Sequence, residues 1–359
     1  MPRFCRHGRF IERCPICRET VPGLAPPAGS GRRTGAGGAA GSARSAGASK
    51  AGAGRAPTAR VRRGGLQVSR ERRAEDDGYR SPLAPGLRAS EDAVRLAEEI
   101  AFASGRLQIL GAAPPDLYGE IRAQPDAEQA AWMCFLSAYL CPLEGSDPFA
   151  GIREALEADW RAGELPDLGS IALGPRTSHE PARGEETLRA YLQWTARAAE
   201  QADRPQGVQP QGDRSQGDRS LGVRGPLAFI GDPSWSAGRR FERLFERLTL
   251  PGLARMGRYE LLLTMGRLGQ CEMRAEAMFF TGAPQGDLAT LGAKRVFGIG
   301  DPIHLEHRAR DLAQALSAPI EALDLVLANW EAGTRATLGV PAETLDADAL
   351  ERARDALRL

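Results

Sequence analysis

The sequence predicts a mainly helical protein, and three observations support this fold class. From about residue 90 onward apolar residues recur at helical spacing, the alternation typical of strands is nearly absent, and 42% of the residues are hydrophobic, which is enough for a real core. The 359 residues suffice for one large or two ordinary domains. We expect an all-α globular domain over residues 75–359, preceded by a zinc-binding segment at 1–21 and a disordered linker at 22–74.

The periodic segments of the helical domain are separated by turn residues. Ser90 is of the residue type that caps helices, and it precedes the first apolar-periodic run. A Gly-, Pro- and Gln-rich stretch at 203–224 repeats Gln-Gly-Asp-Arg-Ser and predicts an exposed insertion loop. The predicted helices cover residues 91–104, 126–140, 151–162, 185–202, 237–248, 252–268, a short piece near Met273, 319–331 and 342–357.

The second of these predicted helices is apolar on most of its surface. Aromatic and Met side chains at this spacing belong to a core far more often than to a ligand site. No further cysteines lie near enough to Cys134 and Cys141 to complete the ligand set of an iron–sulfur cluster. We therefore assign these residues to the core: Trp132, Met133, Phe135 and Tyr139, together with Cys134 and Cys141.

The cysteine content favours a reducing compartment. Six cysteines, three of them within the first seventeen residues, are too few and too unevenly placed for a secreted disulfide scaffold. The sequence shows no signal-peptide pattern at its start and no run of eighteen apolar residues. We expect a cytoplasmic protein, associated with the nucleoid if it binds DNA, without a membrane partner.

The net charge of +1 conceals an uneven distribution. Residues 1–74 carry +13 and the remaining residues carry −12. A basic arm of this kind is typical of segments that bind nucleic acid through counterion release, although an Arg-rich solubilising tail is the alternative. Only two lysines occur against forty-five arginines, a bias that a GC-rich coding sequence also produces.

The first residues contain the most specific local motif. Cys5, His7, Cys14 and Cys17 follow the spacing C-x-H-x6-C-x2-C. Four such ligands close a tetrahedral zinc site and leave no position for water, so the predicted metal is structural. The alternative is unliganded thiols in a disordered tail.

A glycine-rich turn between two predicted helices is the second motif. Gly298-Ile299-Gly300 predicts a hairpin whose glycines take positive φ and let another chain approach, with Pro302 in the first turn of the next helix. Free N–H groups at that helix start would hold a phosphate. The alternative is a structural turn in which Asp301 caps the helix with its own carboxylate and repels phosphate.

Charged residues around this turn suggest further contacts. Arg255 and Arg258 begin a helix with an apolar face and are candidates to clamp phosphates, unless they form a solvated face paired with Glu260. Asp324 lies at the edge of an apolar arc, where partial burial raises a carboxylate's pKa and suits a general base. An ordinary ion pair of Asp324 with an arginine is the alternative.

These motifs together resemble the helix-hairpin-helix DNA glycosylase superfamily over residues 250–332. Counting from Gly300, Glu321 falls where that superfamily tends to place its acidic residue, and Asp324 comes three residues later. Within the superfamily, the chain is most similar to the alpha-glutamyl/putrescinyl thymine pyrophosphorylase clades. The segments that carry this similarity are Arg258-Tyr259-Glu260-Leu261-Leu262, Ala293-Lys294-Arg295-Val296-Phe297-Gly298-Ile299-Gly300-Asp301, and Leu323-Asp324-Leu325 with Asn329-Trp330.

Two departures from the superfamily affect the expected chemistry. Glycosylases that form a Schiff base place a lysine soon after the hairpin glycines, whereas here those positions are Pro302 and Ile303. Lys294 precedes the hairpin, so we expect it to contact phosphate rather than act as a nucleophile. His304 and His307 have no evident third metal ligand and are interpreted as surface or capping residues.

The resemblance implies a DNA-binding protein that acts on a modified or flipped thymine base, in concert with other DNA-modification proteins. Its implied catalytic candidates are Asp324, Glu321 and Lys294. The implied DNA contacts are Gly298, Ile299, Gly300, Arg295, Arg258 and Arg255. The alternatives are a non-enzymatic DNA-binding adaptor with a zinc-bound finger and, less well supported, a helical protein-interaction module.

Overall fold

A computed structural model of the chain describes residues 60–63, 66–69, 74–203 and 226–359. The chain divides into two compact units, Met1–Arg70 and Glu71–Leu359. In the first unit, strands β1 (Arg60–Arg63) and β2 (Leu66–Ser69) pair antiparallel with Val61 opposite Val68. This short pair lies within the stretch that the sequence predicts to be a linker, and the zinc-binding segment lies outside the described residues.

All regular structure described in the second unit is helical, which confirms the predicted fold class at this level. A single turn of 3₁₀ helix, Trp160–Ala162, accompanies twelve α-helices in the described ranges. The helices are α1 (Ser90–Ala112), α2 (Asp116–Ala123), α3 (Ala127–Leu140), α4 (Ala150–Leu156), α5 (Gly184–Asp203), α6 (Leu227–Ile230), α7 (Ala237–Arg247), α8 (Arg255–Arg267), α9 (Leu288–Phe297), α10 (Pro302–Ala315), α11 (Ala322–Ala332) and α12 (Ala347–Leu357).

The ends of several helices follow from capping chemistry. Carboxylates of Asp126, Asp287, Asp301 and Asp346 accept hydrogen bonds from backbone N–H groups in the first turns of α3, α9, α10 and α12. Ser90, predicted as a cap, is instead the first residue of α1, and its N–H donates to the distant Asp77 carboxylate at 2.9 Å. A tertiary contact therefore supplies this cap.

The predicted short helix near Met273 is absent, since residues 271–280 are irregular in the structure. Two further differences from the predicted helices have a physical explanation. Helix α1 continues to Ala112, because its second half is buried and tertiary packing outweighs the polar residues there. Helix α2 was not predicted, since it has eight residues and buries only Leu117, Tyr118 and Ile121. Such a short element carries too few periodic positions to be recognised in a sequence.

Helix α3 lies at the centre of the aromatic core. Trp132, Phe135 and Tyr139 are at most 1% exposed, and the ring of Phe135 stacks on Tyr191 of α5 with centroids 3.9 Å apart. Met133, Cys134 and Cys141 are buried as well, and burial raises the pKa of both thiols. The assignment of these residues to the core is confirmed.

Close packing of α9, α11 and α1 positions the candidate site. Helix α9 packs against α11, and α11 packs against α1. At the first contact, Gly292 lets the two helices approach so closely that an added Cβ would lie 2.2 Å from the carbonyl oxygen of Leu327. The turn after α9 and the carboxylates around α11 are thus parts of one packed unit. No helix in the described ranges is both long and apolar enough to cross a membrane.

Candidate nucleic-acid interface and buried carboxylates

The glycine-rich turn joins α9 to α10 as predicted. Gly298 ends α9 in the left-handed conformation with φ of +67°, and Pro302 begins α10. The Asp301 carboxylate accepts hydrogen bonds from the N–H groups of Ile303 at 3.0 Å and His304 at 3.1 Å. The protein's own side chain therefore occupies two of the helix-start donors that a phosphate would need.

The two glycines of the turn have different roles, which corrects the prediction that both take positive φ. Gly300 is absent from the positive-φ residues of the described chain, and an added Cβ there would meet nothing within 4 Å. At Gly298 the close neighbour is the protein itself, because Gly86 lies against it and donates its N–H to the Val296 carbonyl at 2.9 Å. The open side of the turn is at Gly300.

Exposed residues precede and follow the turn in the chain. Lys294 of α9 is exposed, and Ile303 is 64% exposed, the highest value among the large hydrophobic residues described as exposed. Arg295 is partly exposed and forms an ion pair with Glu331 at 2.9 Å, while Ile299 packs against the core. We define the hairpin ridge as Lys294, Gly298, Gly300, Asp301, Ile303 and His304.

Arg255 is not on the protein surface that the phosphate-clamp hypothesis requires, and Arg258 is only partly exposed. Arg255 is 1% exposed, and its three nitrogens contact Asp287, the Met278 carbonyl and Asp324. Burial opposes its charge, but the two carboxylates outweigh burial and raise its pKa. The guanidinium of Arg255 thus contacts buried groups and does not reach solvent, which contradicts its prediction as a phosphate contact.

Arg258 is half-buried beside the ring of Phe245. Its guanidinium carbon lies 4.5 Å from the centre of the ring, and its Nη1 donates to the Phe245 carbonyl at 3.2 Å. Burial, followed by the neighbouring positive charge of Arg255, lowers the pKa of Arg258. Its geometry is that of a packed arginine rather than of an extended phosphate ligand.

Asp324 is enclosed to a greater extent than the sequence predicts. It is 2% exposed, and its carboxylate bonds to Arg255 through one oxygen and to Nη2 of Arg176, at 3.0 Å, through the other. Burial alone would raise the pKa of Asp324, but the charges and hydrogen bonds of both arginines lower it below the ordinary value. The predicted upward shift is therefore wrong, and the alternative of an arginine ion pair is correct.

Glu321 immediately precedes α11, where the sequence predicts a position inside the helix. It is 3% exposed, forms an ion pair with Arg267 and accepts a hydrogen bond from the N–H of Ala275 at 3.2 Å. Glu321 and Asp324 line the same small gap, together with the ion pair of Arg106 and Glu260. We define the charge cluster by its paired residues: Arg106, Arg176, Arg255, Arg267, Glu260, Asp287, Glu321 and Asp324.

The gaps beside these carboxylates do not admit a nucleotide. The gap next to Glu321 and Asp324 has no room for water, and a second gap, between Arg176 and Glu260, has room for about one molecule. A larger open cleft of about 540 Å³ lies beside His179 and Glu185, and no residue of the charge cluster lines it. Burial lowers the pKa of His179, whose Nδ1 lies 3.1 Å from the Tyr139 hydroxyl.

Sequence reasoning did not find Arg176, Arg106 and Asp287. Asp287 carried a recognisable signal, since an Asp before an apolar-periodic run is a helix cap, and its carboxylate does accept from the N–H of Thr290 at 2.9 Å. Arg176 lies in a helix-free segment and carries no periodic signal at all. Its contact with Asp324 spans 148 positions, which no local pattern can indicate.

The predicted zinc residues Cys5, His7, Cys14 and Cys17 lie outside the described part of the chain. Within the described part, no group of three or more His, Cys, Asp or Glu residues is arranged to hold a metal ion. His304 and His307 are exposed on α10, which agrees with their interpretation as surface residues.

The fold and the site together define an all-helical protein with an exposed glycine turn between two helices and an enclosed arginine–carboxylate cluster. Comparison of the chain with protein-family models, with curated proteins and with solved structures finds no match.

Proposed function

We propose that this chain is a DNA-binding protein of the helix-hairpin-helix glycosylase-like type, which grips the DNA backbone with the hairpin ridge. The observation that carries the proposal is the open backbone at Gly300, in the turn that follows the helix of the exposed Lys294. A phosphate can approach a glycine that has no neighbour, and a lysine nearby neutralises its charge. Such contacts position a protein on DNA without reading its sequence.

Action on a modified or flipped thymine base is the second candidate, in keeping with the resemblance to the thymine pyrophosphorylase clades. Asp324 favours it, because two arginines keep this carboxylate ionised in a water-poor setting. An ionised carboxylate there would stabilise positive charge that develops at a sugar, and Glu321 is the other candidate. Both residues are enclosed in the described conformation, so the geometry supports DNA binding better than catalysis.

Binding to the ridge is tested by substitutions that preserve the fold. Gly300→Val introduces a side chain into open space, so the fold tolerates it, whereas a DNA phosphate meets the new methyl groups. We expect affinity for all DNA sequences to fall by about tenfold or more. Asp301→Asn retains a capping oxygen and removes the negative charge, so it should bind DNA more tightly and with a steeper salt dependence.

Gly286→Val is the matched control for Gly300→Val. Gly286 precedes α9 at its other end, also has open space around it, and is absent from the positive-φ residues of the described chain. Fluorescence anisotropy with labelled duplexes and melting temperatures should be measured for residues 71–359, so that the basic arm does not mask the loss. Equal affinity in Gly300→Val, Gly286→Val and the parent protein would reject the ridge as a DNA contact.

Base chemistry is tested separately on the full chain. Incubation with DNA that contains normal or hypermodified thymines, followed by nucleoside mass spectrometry, reports any change in the base. A product that depends on the protein supports the enzymatic candidate. DNA binding without product leaves the adaptor function, in which the ridge grips backbone and the zinc-binding segment directs the protein to its target.

A further inference from the structure

We propose that the open cleft beside His179 is a binding site for a small organic cation, an ammonium group attached to an apolar body. The cleft has a volume of about 540 Å³, which lies within the range of roughly 300–1,000 Å³ that small-molecule sites occupy. None of its described lining residues belongs to the hairpin ridge or to the charge cluster. The site therefore goes beyond the proposed contact with DNA.

Apolar side chains form much of the lining of the cleft. Leu165 and Leu173 are partly buried and pack against the core, and Ile171 is 7% exposed. All three line the cleft. A ligand with an apolar body removes such surface from water, which favours binding, and the polar groups of the lining then select the rest of the ligand.

The charged side chains of the lining are acidic. Asp167 and Glu185 line the cleft, and none of its described lining residues is Arg or Lys. The chain contains forty-five arginines, so a lining without them differs from the average surface of this protein. A cleft of this composition attracts a cation and repels an anion.

Each of the two carboxylates retains an oxygen for a ligand. Oδ1 of Asp167 accepts a hydrogen bond from the N–H of Gly169 at 3.0 Å, and Oε1 of Glu185 pairs with Arg189 of the same helix. Oδ2 of Asp167 and Oε2 of Glu185 have no partner among the described residues. An ammonium group carries three donors and no acceptor, which matches free carboxylate oxygens.

The imidazole of His179 is held in place and adds no positive charge. Its Nδ1 lies 3.1 Å from the Tyr139 hydroxyl, and the two rings meet edge to face with centroids 5.6 Å apart. Gly184 lies so close that an added Cβ would be 2.5 Å from Cε1 of the imidazole. Burial lowers the pKa of His179, so the ring is neutral near pH 7 and does not repel a cation. A fixed ring also reduces the cost of ordering the site on binding.

Two probes that share a benzene ring and differ in charge test the site. Benzylamine is a cation at pH 7, whereas benzyl alcohol is uncharged. Their affinities for the full chain should be measured by ligand-observed saturation-transfer NMR. We expect benzylamine to bind about three- to tenfold more tightly, because charge pairs that stay partly exposed to water contribute modestly.

The double variant Asp167→Asn, Glu185→Gln removes both charges and keeps an acceptor oxygen at each position. It should lower the affinity for benzylamine to that for benzyl alcohol and leave the affinity for benzyl alcohol unchanged. The matched control is Glu164→Gln, Glu186→Gln, since these residues are exposed, lie nearby in the chain and do not line the cleft. It changes the net charge equally and should retain the affinity of the parent protein.

Melting temperatures of both double variants should match that of the parent protein, because the substituted side chains are exposed. Absence of benzylamine saturation, or equal affinity of the parent protein for the two probes, would overturn the site. An equal loss of benzylamine affinity in the two double variants would show general attraction to the negatively charged helical unit, and would overturn the site as well.

Discussion

Asp324 shows at the residue scale how charge and burial compete. Its carboxylate is 2% exposed, a location in which an unpaired acid would take up a proton. Two arginines from distant parts of the chain reverse that tendency and keep it ionised. The stability of the interior therefore depends on all three side chains together.

We predict that Asp324→Asn lowers the free energy of unfolding by about 3–5 kcal/mol, because both arginines stay buried without their negative partner. Urea denaturation followed by circular dichroism measures this change. Asp311→Asn on helix α10 is the control, since Asp311 is exposed and surface substitutions usually change stability by less than about 0.5 kcal/mol. Similar losses in the two variants would contradict the special role of Asp324.

The lowered pKa of Asp324 adds a pH dependence to the same comparison. Because the pKa of Asp324 is lower in the folded than in the unfolded protein, its ionised carboxylate stabilises the fold fully above the unfolded pKa, near 3.8. This stabilisation is lost as the pH falls through the pKa of Asp324 in the folded protein. The difference in unfolding free energy between the parent protein and Asp324→Asn should thus be constant near neutral pH. It should shrink below about pH 3.8, and a difference that grows on acidification would contradict the assignment.

At the element scale, the packing of α9 on α11 depends on a glycine. Gly292 has no side chain, so the carbonyl of Leu327 lies where a Cβ would be, at 2.2 Å. This contact holds the turn after α9 in fixed relation to α11. Helix propensity alone would favour alanine at the same position.

We predict opposite effects for two glycine-to-alanine substitutions inside helices. Gly292→Ala should destabilise the protein by about 1–3 kcal/mol, because the added methyl group forces the helices apart. Gly111→Ala in helix α1 meets nothing within 4 Å and should stabilise it by about 0.5–1 kcal/mol through helix propensity. Thermal unfolding of both variants is the measurement, and a stabilised Gly292→Ala would show that the close approach is absent.

At the scale of the whole molecule, the chain separates its charge along its length. The first 74 residues carry +13, whereas residues 75–359 carry −12. A net negative body repels DNA at long range, so under the proposed function the basic arm would supply most of the attraction that does not depend on sequence. This arrangement is consistent with a body that contacts DNA at a restricted surface such as the hairpin ridge.

We predict that the full chain binds one zinc ion through Cys5, His7, Cys14 and Cys17, and that Cys14→Ser releases it. Elemental analysis of protein purified without chelator measures the content. Removal of residues 1–70 should abolish zinc binding and leave the helical circular dichroism of the remaining unit intact, because that unit is compact by itself. A full chain with zinc content far below one per molecule would refute the site, and loss of helicity would refute the independence of the units.

The sequence by itself determined the helical class of the main unit, most helix positions, the aromatic core around Trp132 and Phe135, and the cap at Asp301. These features depend on side-chain periodicity and on chemistry between residues a few positions apart, which the order of residues records directly. The tertiary structure alone decided which side of the turn is open and which residues surround Asp324. The partners of Asp324, Arg255 and Arg176, lie 69 and 148 positions away in the chain. A carboxylate at a helix edge can be a solvated base or an enclosed ion pair, and the distant arginines that the fold brings to it decide which.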